Sequence, residues 1–398
     1  MLREPIRDYK CVLIGNGFDT LVEAWSVYIF EKTWEKLVAA KKYAQEKNNG
    51  SNQAYTVSIG DMEFQIKPHG GDGKTFLLSN DLYNVDISNA EKTFNVSIKH
   101  LSCALWQHGP EKSREIISEA LLKEMRPRPQ GGKRGPEGWQ RISKADYAFD
   151  FHSPELTAEI SFAMADRLVA HSSGKARHDF KGPDNQDGYV MGTTRRVQTI
   201  TIGNKKHVQI QLYDKAAEVK ERSGKQWMYK LWEQGGYVRE QGNKKPDIWR
   251  LEVRFGRDYL NEEGINTYED LKKYLGGILK KALTSRRLVD PANDMNMRRW
   301  PTHPLWYIAW QQAEVLRDME PIGKQPEWKA YEAVKLKDEQ DLAALLRRAA
   351  VRECGAYDRV TARNFALEVL AKLESDEKHE DAVERYQEKM KYVGCSRG

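Results

Sequence analysis

Three short runs with a strict two-residue period constrain this chain more than any other feature, because they demand a sheet with one apolar and one polar face. The runs are Ala145–Phe151 (A-D-Y-A-F-D-F), Val208–Lys215 (V-Q-I-Q-L-Y-D-K) and Trp249–Phe255 (W-R-L-E-V-R-F). Successive side chains of a strand point to opposite faces. Tyr147, Phe149 and Phe151 therefore oppose Asp146 and Asp150, while Val208, Ile210 and Leu212 oppose Gln209, Gln211, Tyr213 and Lys215. In the third run Trp249, Leu251, Val253 and Phe255 oppose Arg250, Glu252 and Arg254. Placed in one sheet, the three strands gather carboxylates, cations and a tyrosine on a single face. A merely solvated sheet face displays less chemistry than this.

The rest of the chain mixes strands and helices. Cys11–Ile14, Tyr55–Ser58, Glu63–Ile66, Phe76–Leu78 and Phe94–Ile98 read as strands, and Ile29–Lys47 and Glu111–Glu124 as helices. In the second helix Ile116, Ile117, Ala120, Leu121 and Met125 recur at three- and four-residue spacing. Gly15–Asp19 (G-N-G-F-D) reads as a turn. The basic Pro/Gly stretch Arg126–Gly138 cannot continue regular structure and reads as a linker or exposed loop. Pro154–His171 is expected to be helical, and Val197–Ile202 and Val208–Tyr213 to form a hairpin around Gly203-Asn204-Lys205-Lys206. A further helix is expected from Asp214 towards Trp232. Another spans Thr267–Leu288, with an apolar stripe of Leu271, Tyr274, Leu275, Ile278 and Ala282. From Pro304 onward the pattern is almost wholly helical. The fold class is thus α+β, a mainly antiparallel sheet with inserted helices followed by a C-terminal helical region. The implied division is an N-terminal α/β part of the core (1–125), a basic linker or loop (126–140), the core that carries the chemistry (141–290) and the helical region (291–398).

At 398 residues, 40 % of them apolar, the chain can build substantial cores in two or three domains. No stretch approaches the roughly 20 apolar residues that cross a bilayer, and Met1–Arg7 carries charge and Pro5 in place of an apolar signal core. Cys11, Cys103, Cys354 and Cys395 are scattered without a C-x-x-C pair, which points to a reduced cytoplasmic setting without a disulfide frame or structural zinc. The net charge of +6 is mild, but Leu271–Trp310 alone carries an equal excess: Lys272, Lys273, Lys280, Lys281, Arg286, Arg287, Arg298 and Arg299 against Asp290 and Asp294. Such concentration suits a polyanionic partner, with a solvated helix face as the plain alternative.

Tyr213 is the candidate nucleophile. A phenol with its ordinary pKa near 10 costs roughly 4 kcal/mol to ionise at pH 7, so it needs a neighbouring cation, metal or base. Lys215, Arg250 and Arg254 share its face. Asp146, Asp150 and Glu252 are candidate ligands for a hard divalent cation, Mg²⁺ or Mn²⁺. Strand rise separates Asp146 from Asp150 by about 13 Å, so both reach one ion only across a bulge. Pairing with Arg250 or Arg254 is the alternative for either carboxylate. The sequence holds no P-loop, G-x-G-x-x-G, G-x-S-x-G, H-x-H or H-E-x-x-H pattern.

The run from Gly192 to Glu218, containing V-Q-I-Q-L-Y-D-K, resembles the replication initiation factor family, the initiators of rolling-circle plasmids with relatives in phages and conjugative elements. The preceding K-A-D-Y-A-F-D-F and the following W-R-L-E-V-R-F extend the resemblance over about Arg141–Leu260, and it reaches to the Cys11–Trp25 strand region. It implies a DNA-nicking tyrosine at Tyr213 and a divalent metal, Mg²⁺ or Mn²⁺, associated with Asp146 and Glu252. Lys144-Ala145 departs from the family's usual Arg-hydrophobic pair, and the lack of H-x-H agrees with it. The partner would be DNA, single-stranded or melted at an origin with its flanking duplex; a host helicase and polymerase would act afterwards, and the protein would work as a monomer or homodimer. Arg195, Arg196, Lys205 and Lys206 border the tyrosine hairpin as candidate backbone contacts, and Lys273, Lys280 and Arg287 as candidates for origin duplex. A conjugative relaxase with the same chemistry, a non-catalytic DNA-binding protein on the same fold, and an RNA-binding protein are the other readings.

Overall fold

The computed structural model describes residues 2–46, 55–70, 73–89, 94–128, 138–170, 188–193, 196–237, 246–316, 342–344, 346–348, 351–352 and 359–374. Its contacts divide the chain into two units, Met1–Gly323 and Lys324–Gly398. The strands are β1 (Val12–Trp25), β2 (Val27–Ile29), β3 (Tyr55–Ile59), β4 (Met62–Ile66), β5 (Phe76–Ser79), β6 (Tyr83–Ile87), β7 (Val96–His100), β8 (Met125–Pro127), β9 (Gln140–His152), β10 (Leu168–Ala170), β11 (Gly188–Thr193), β12 (Arg196–Gly203), β13 (Val208–Asp214), β14 (Ile248–Phe255) and β15 (Arg286–Leu288). The helices of the first unit are α1 (Glu31–Glu46), α2 (Ser102–Leu121), α3 (Pro154–Glu159), α4 (Lys215–Glu218), α5 (Met228–Gln234), α6 (Arg257–Glu262), α7 (Tyr268–Ser285) and α8 (Pro304–Val315). In the second unit α9 spans Arg359–Glu374. The other helices expected after Val315 lie wholly or partly outside the described residues, as do 129–137 of the basic stretch and 171–187.

The fold is α+β. Eleven strands form one antiparallel sheet in the order β11-β12-β13-β14-β9-β1-β7-β6-β5-β4-β3. Strands from 1–125 and from 141–290 thus share one sheet. β1 joins its halves, pairing with β9 along its length and with β7 through Leu21–Trp25. The apolar faces of β12, β13, β14, β9 and β1 pack against α6, α7 and α8 in one core. Val85, Ile98 and Phe64 of the other half pack against Leu37 of α1 and Ile117 of α2. A third, small core sits on the polar side of the central strands, where Ile14 and Ile248 meet Met228 and Trp232 of α5.

Gly15–Asp19 is not a turn but the middle of β1. Two glycines hide the period, and β-bulges at Ile14 and Asp19 break what remains of it. Other expected elements end early because tertiary pairing outweighs local propensity. Pro154–His171 is α-helical only to Glu159 and resumes as a 3₁₀ helix at Phe162–Arg167; Leu168–Ala170 instead becomes β10. Its partner β15 takes the last residues of the expected Thr267–Leu288 helix. That helix does start as its sequence suggests, with a Thr267/Asp270 capping box. The expected helix from Asp214 is broken: α4 runs into a π-turn at Val219–Ser223, which Gly224 ends at φ +63°. The second helix begins earlier than expected, at Ser102, and kinks at Gly109-Pro110. β6 was not anticipated.

The C-terminus of α5 abuts β1 so closely that a Cβ on Gly235 would lie 1.6 Å from the Ile14 carbonyl oxygen. Gly235→Ala should therefore cost about 2–3 kcal/mol in urea denaturation. An unchanged midpoint would mean that α5 does not dock on β1 in this way.

Candidate active site

The polar face of the central strands carries the site. Tyr213 stands on β13, in register with Thr199 of β12 and Arg250 of β14. Its ring is half-buried, and its hydroxyl donates to Glu252 Oε2 at 2.9 Å. The other oxygen of Glu252 accepts from Arg254 Nε at 2.8 Å, and Arg254 also reaches Gln209 Oε1 at 3.3 Å. Burial and then the Glu252 charge push the Tyr213 phenol well above its ordinary pKa. The phenol is therefore protonated at rest and already bonded to a base.

The strand-to-helix break after Tyr213 has a local cause. Asp214 caps α4 by accepting from the Ala217 N–H at 2.9 Å, so the backbone turns at once and Lys215 enters the first helical turn. Lys215 is buried, bonds Glu218 at 2.6 Å and stands 5.6 Å from the centre of the Tyr213 ring. Burial, then the nearby Arg250 charge, lowers its pKa.

Arg250, expected as a cation available to Tyr213, is instead fully buried. Its Nε and Nη2 bond Asp150 at 2.5 and 2.8 Å, and its Nη1 bonds Asp19. Trp232 Nε1 donates to the same Asp150 at 2.8 Å. Asp150 is thus the counter-ion of Arg250, which corrects its expected place among metal ligands. Asp19 escaped sequence reading because it sits in the segment taken for a turn. Past the bulge at Ile14 it shares the polar face with Gly15 and Gly17, where Arg250 and then Lys215 overcome the effect of burial and hold its carboxyl down at about 2.

Asp146 lies opposite Arg254 and Thr20, buried, with Lys144 Nζ 2.6 Å from its Oδ2. Its Oδ1 is buried without a hydrogen-bond partner among the described residues. Burial and the nearby Glu252 charge push it up to about 6. An unsatisfied carboxylate oxygen beside a second carboxylate fits a hard divalent ion. Among the described residues no group of three or more His, Cys, Asp and Glu is clustered for a metal, so phosphate and water oxygens would complete the shell.

The basic candidates divide. Lys205 and Lys206 are exposed on the hairpin turn. Arg196 opens β12, its side chain outside the described residues, and Arg195 lies outside them entirely. Lys273 is exposed on α7, its ammonium 5.3 Å from the Tyr274 ring. Lys280 does not lie on an open basic face: it pairs with Glu314 of α8 and stands 5.1 Å from the Trp310 ring. Arg287 is buried in β15, donating to the Trp300 and Arg298 carbonyls at 2.9 and 2.6 Å. Lys272 pairs with Glu111 and Lys281 with Glu263, so much of the local charge excess is spent inside the fold.

No family model matches the chain, and no curated protein matches it. Among solved structures it is similar to a rolling circle replication initiator protein from Geobacillus stearothermophilus, at 14 % identity and a TM-score of 0.38, over 78 % of this chain and 100 % of that one.

The raised pKa of Asp146 has a stability consequence with a definite sign. Between the unfolded value of 3.8 and about 6 the folded state binds the extra proton, so this group's contribution falls as pH rises. Asp146→Asn should therefore be neutral at pH 4 and stabilise by about 1–3 kcal/mol at pH 7.5. A melting-temperature difference that does not change with pH would refute this environment for Asp146.

Proposed function

We propose that the chain is a DNA-nicking transesterase that starts rolling-circle replication, or transfer, of a mobile element. The observation that carries this reading is the hydroxyl of the half-buried Tyr213, 2.9 Å from Glu252 and flanked by Arg254 and an under-coordinated Asp146. The Tyr213 oxygen forms a bond to phosphorus while its proton passes to Glu252. The bond from phosphorus to the 3′-oxygen breaks, leaving a 5′-phosphotyrosine. Lys215, made a stronger acid by burial, returns a proton to the departing oxygen, and a 3′-hydroxyl is free to prime a polymerase. Preionising the phenol would be costly, so proton transfer accompanies attack.

Arg254 balances charge on the phosphoryl oxygens. Arg250 acts as a positioning residue that holds β14 against β9 and β1. Asp146 and Glu252 would hold Mg²⁺ or Mn²⁺, which when bound neutralises and polarises the phosphate. Lys205 and Lys206 would meet backbone phosphates beside the tyrosine hairpin, and Lys273 origin duplex. A host helicase and polymerase would follow the nick, and a homodimer is compatible with the scheme.

The test is covalent capture. The protein is incubated with single strands from the replicon that encodes it plus Mn²⁺, and a denaturation-resistant protein–DNA band is sought. Wild type should give the band and Tyr213→Phe none, although that variant should lose only about 1 kcal/mol of stability with its hydrogen bond. Glu252→Gln should slow adduct formation by about 100-fold or more. A band of full strength in Tyr213→Phe would place the nucleophile elsewhere. DNA binding with no band from wild type on any strand would leave a non-catalytic DNA-binding protein.

A further inference from the structure

A second concave feature lies on the far side of Arg250 from Tyr213. It is a cavity of about 350 Å³ between the outer edge of β1, the kink of α2 and the first turns of α7. Asn16, Phe18, Trp106, Tyr147 and Tyr268 supply most of its character. None of these residues takes part in the chemistry proposed above.

Its construction is specific. The Trp106 ring lies over Gly15 and Gly17 of β1, with the Arg250 guanidinium 5.4 Å from its centre. The indole N–H is buried and has no hydrogen-bond partner among the described residues. Across the cavity Tyr147 donates to Asn16 Oδ1 at 2.7 Å and packs edge-on against Phe18. That bond fixes the Asn16 amide, leaving its NH₂ as the end still able to donate. At the kink, Gly109 takes φ +77° and Pro110 has no N–H to offer the Trp106 carbonyl four residues back. The Lys272–Glu111 pair, at 3.0 Å, lines the same cavity. Aromatic walls with two unused donors suit a flat heterocycle that carries acceptors on its edge.

We propose that this cavity receives an unstacked nucleobase of the bound single strand, with Trp106 and Asn16 reading its acceptor edge. The strand register sets the spacing. Gly15 pairs with Asp150, Asp150 with Arg250 and Arg250 with Tyr213, three interstrand steps or about 14 Å. That distance lies within the reach of a few nucleotides of unstacked single strand. Insertion of one base there would hold the strand in register across the polar face and give sequence preference beside the nick. The inference rests on the nicking reading only for the identity of the strand, so the test uses protein that cannot nick.

Tyr213→Phe protein is mixed with a pool of short randomised single strands carrying 4-thiothymidine at the centre, irradiated, digested and analysed by mass spectrometry. Crosslinks should fall on the peptides containing Trp106 or Tyr147. Affinity for the same pool, read by fluorescence anisotropy, should drop about tenfold when Trp106→Phe is combined with Asn16→Ala, since two hydrogen bonds are lost. Affinity for a pool with an abasic centre should not change between the two proteins. Crosslinks confined to other peptides, or an equal loss on both pools, would overturn the pocket. A missing covalent adduct in wild type, with the crosslinks present, would count against nicking and leave base binding intact.

Discussion

The arrangement of the central strands turns on one buried cation. The Arg250 guanidinium is fully enclosed and must find negative partners, because an unpaired charge there would cost several kcal/mol. It finds Asp150 on β9 and Asp19 on β1, so one side chain of β14 binds the two strands beyond it. Such a pair is weak evidence for net stability, since desolvation cancels much of the attraction. Its stronger effect here is on register. A slip of one residue in β14 would turn Arg250 into the apolar core and Leu251 onto the polar face. By holding the register, Arg250 also holds Glu252 two residues away, and Glu252 holds the tyrosine hydroxyl.

The same face divides its charges into those already matched and those still available. Asp19 and Asp146 are both buried carboxylates near arginines, yet they move in opposite directions. Asp19 meets Arg250 directly and is driven down; Asp146 shares its surroundings with Glu252 and is driven up. Charge density accumulates where Asp146 and Glu252 face each other, and that is where an added cation or the counter-charges of a bound phosphate complex would gain most. Lys215 shows the converse, a lysine crowded by Arg250 and weakened as a base. Separation of this kind, carboxylates and cations pushed apart in pKa within one cluster, is a frequent mark of a reactive site rather than of a solvated sheet face.

Much of this was legible in the alternating runs. Their period placed Tyr213, Glu252, Arg254 and Asp146 on one face, and the antiparallel sheet brought those residues together. Three things were hidden for physical reasons. Gly15 and Gly17 have no side chains to show a period, and the bulges at Ile14 and Asp19 would have broken it anyway. The fate of Arg250 depends on Asp19, more than two hundred residues away in the chain. The basic stretch after Leu271 looked like a polyanion surface because its neutralising partners, Glu111, Glu263 and Glu314, come from other elements. Local charge counts cannot see tertiary ion pairs.

The stretch that sequence reading missed is the one on which both proposed sites converge. Between Gly15 and Thr20, β1 offers Asp19 to the Arg250 lock and, on the same face, the floor beneath Trp106, while Asn16 and Phe18 line the cavity from the other. Without the bulge at Ile14, the alternation that puts Leu13 opposite Phe151 would turn Gly15, Gly17 and Asp19 to the apolar face. Glycine at two alternate positions supplies the flat surface, and the extra residue at Ile14 sets the face on which it and Asp19 lie. The irregularity of β1 is therefore what lets a single strand support the chemistry of Tyr213 and a pocket about 14 Å from it.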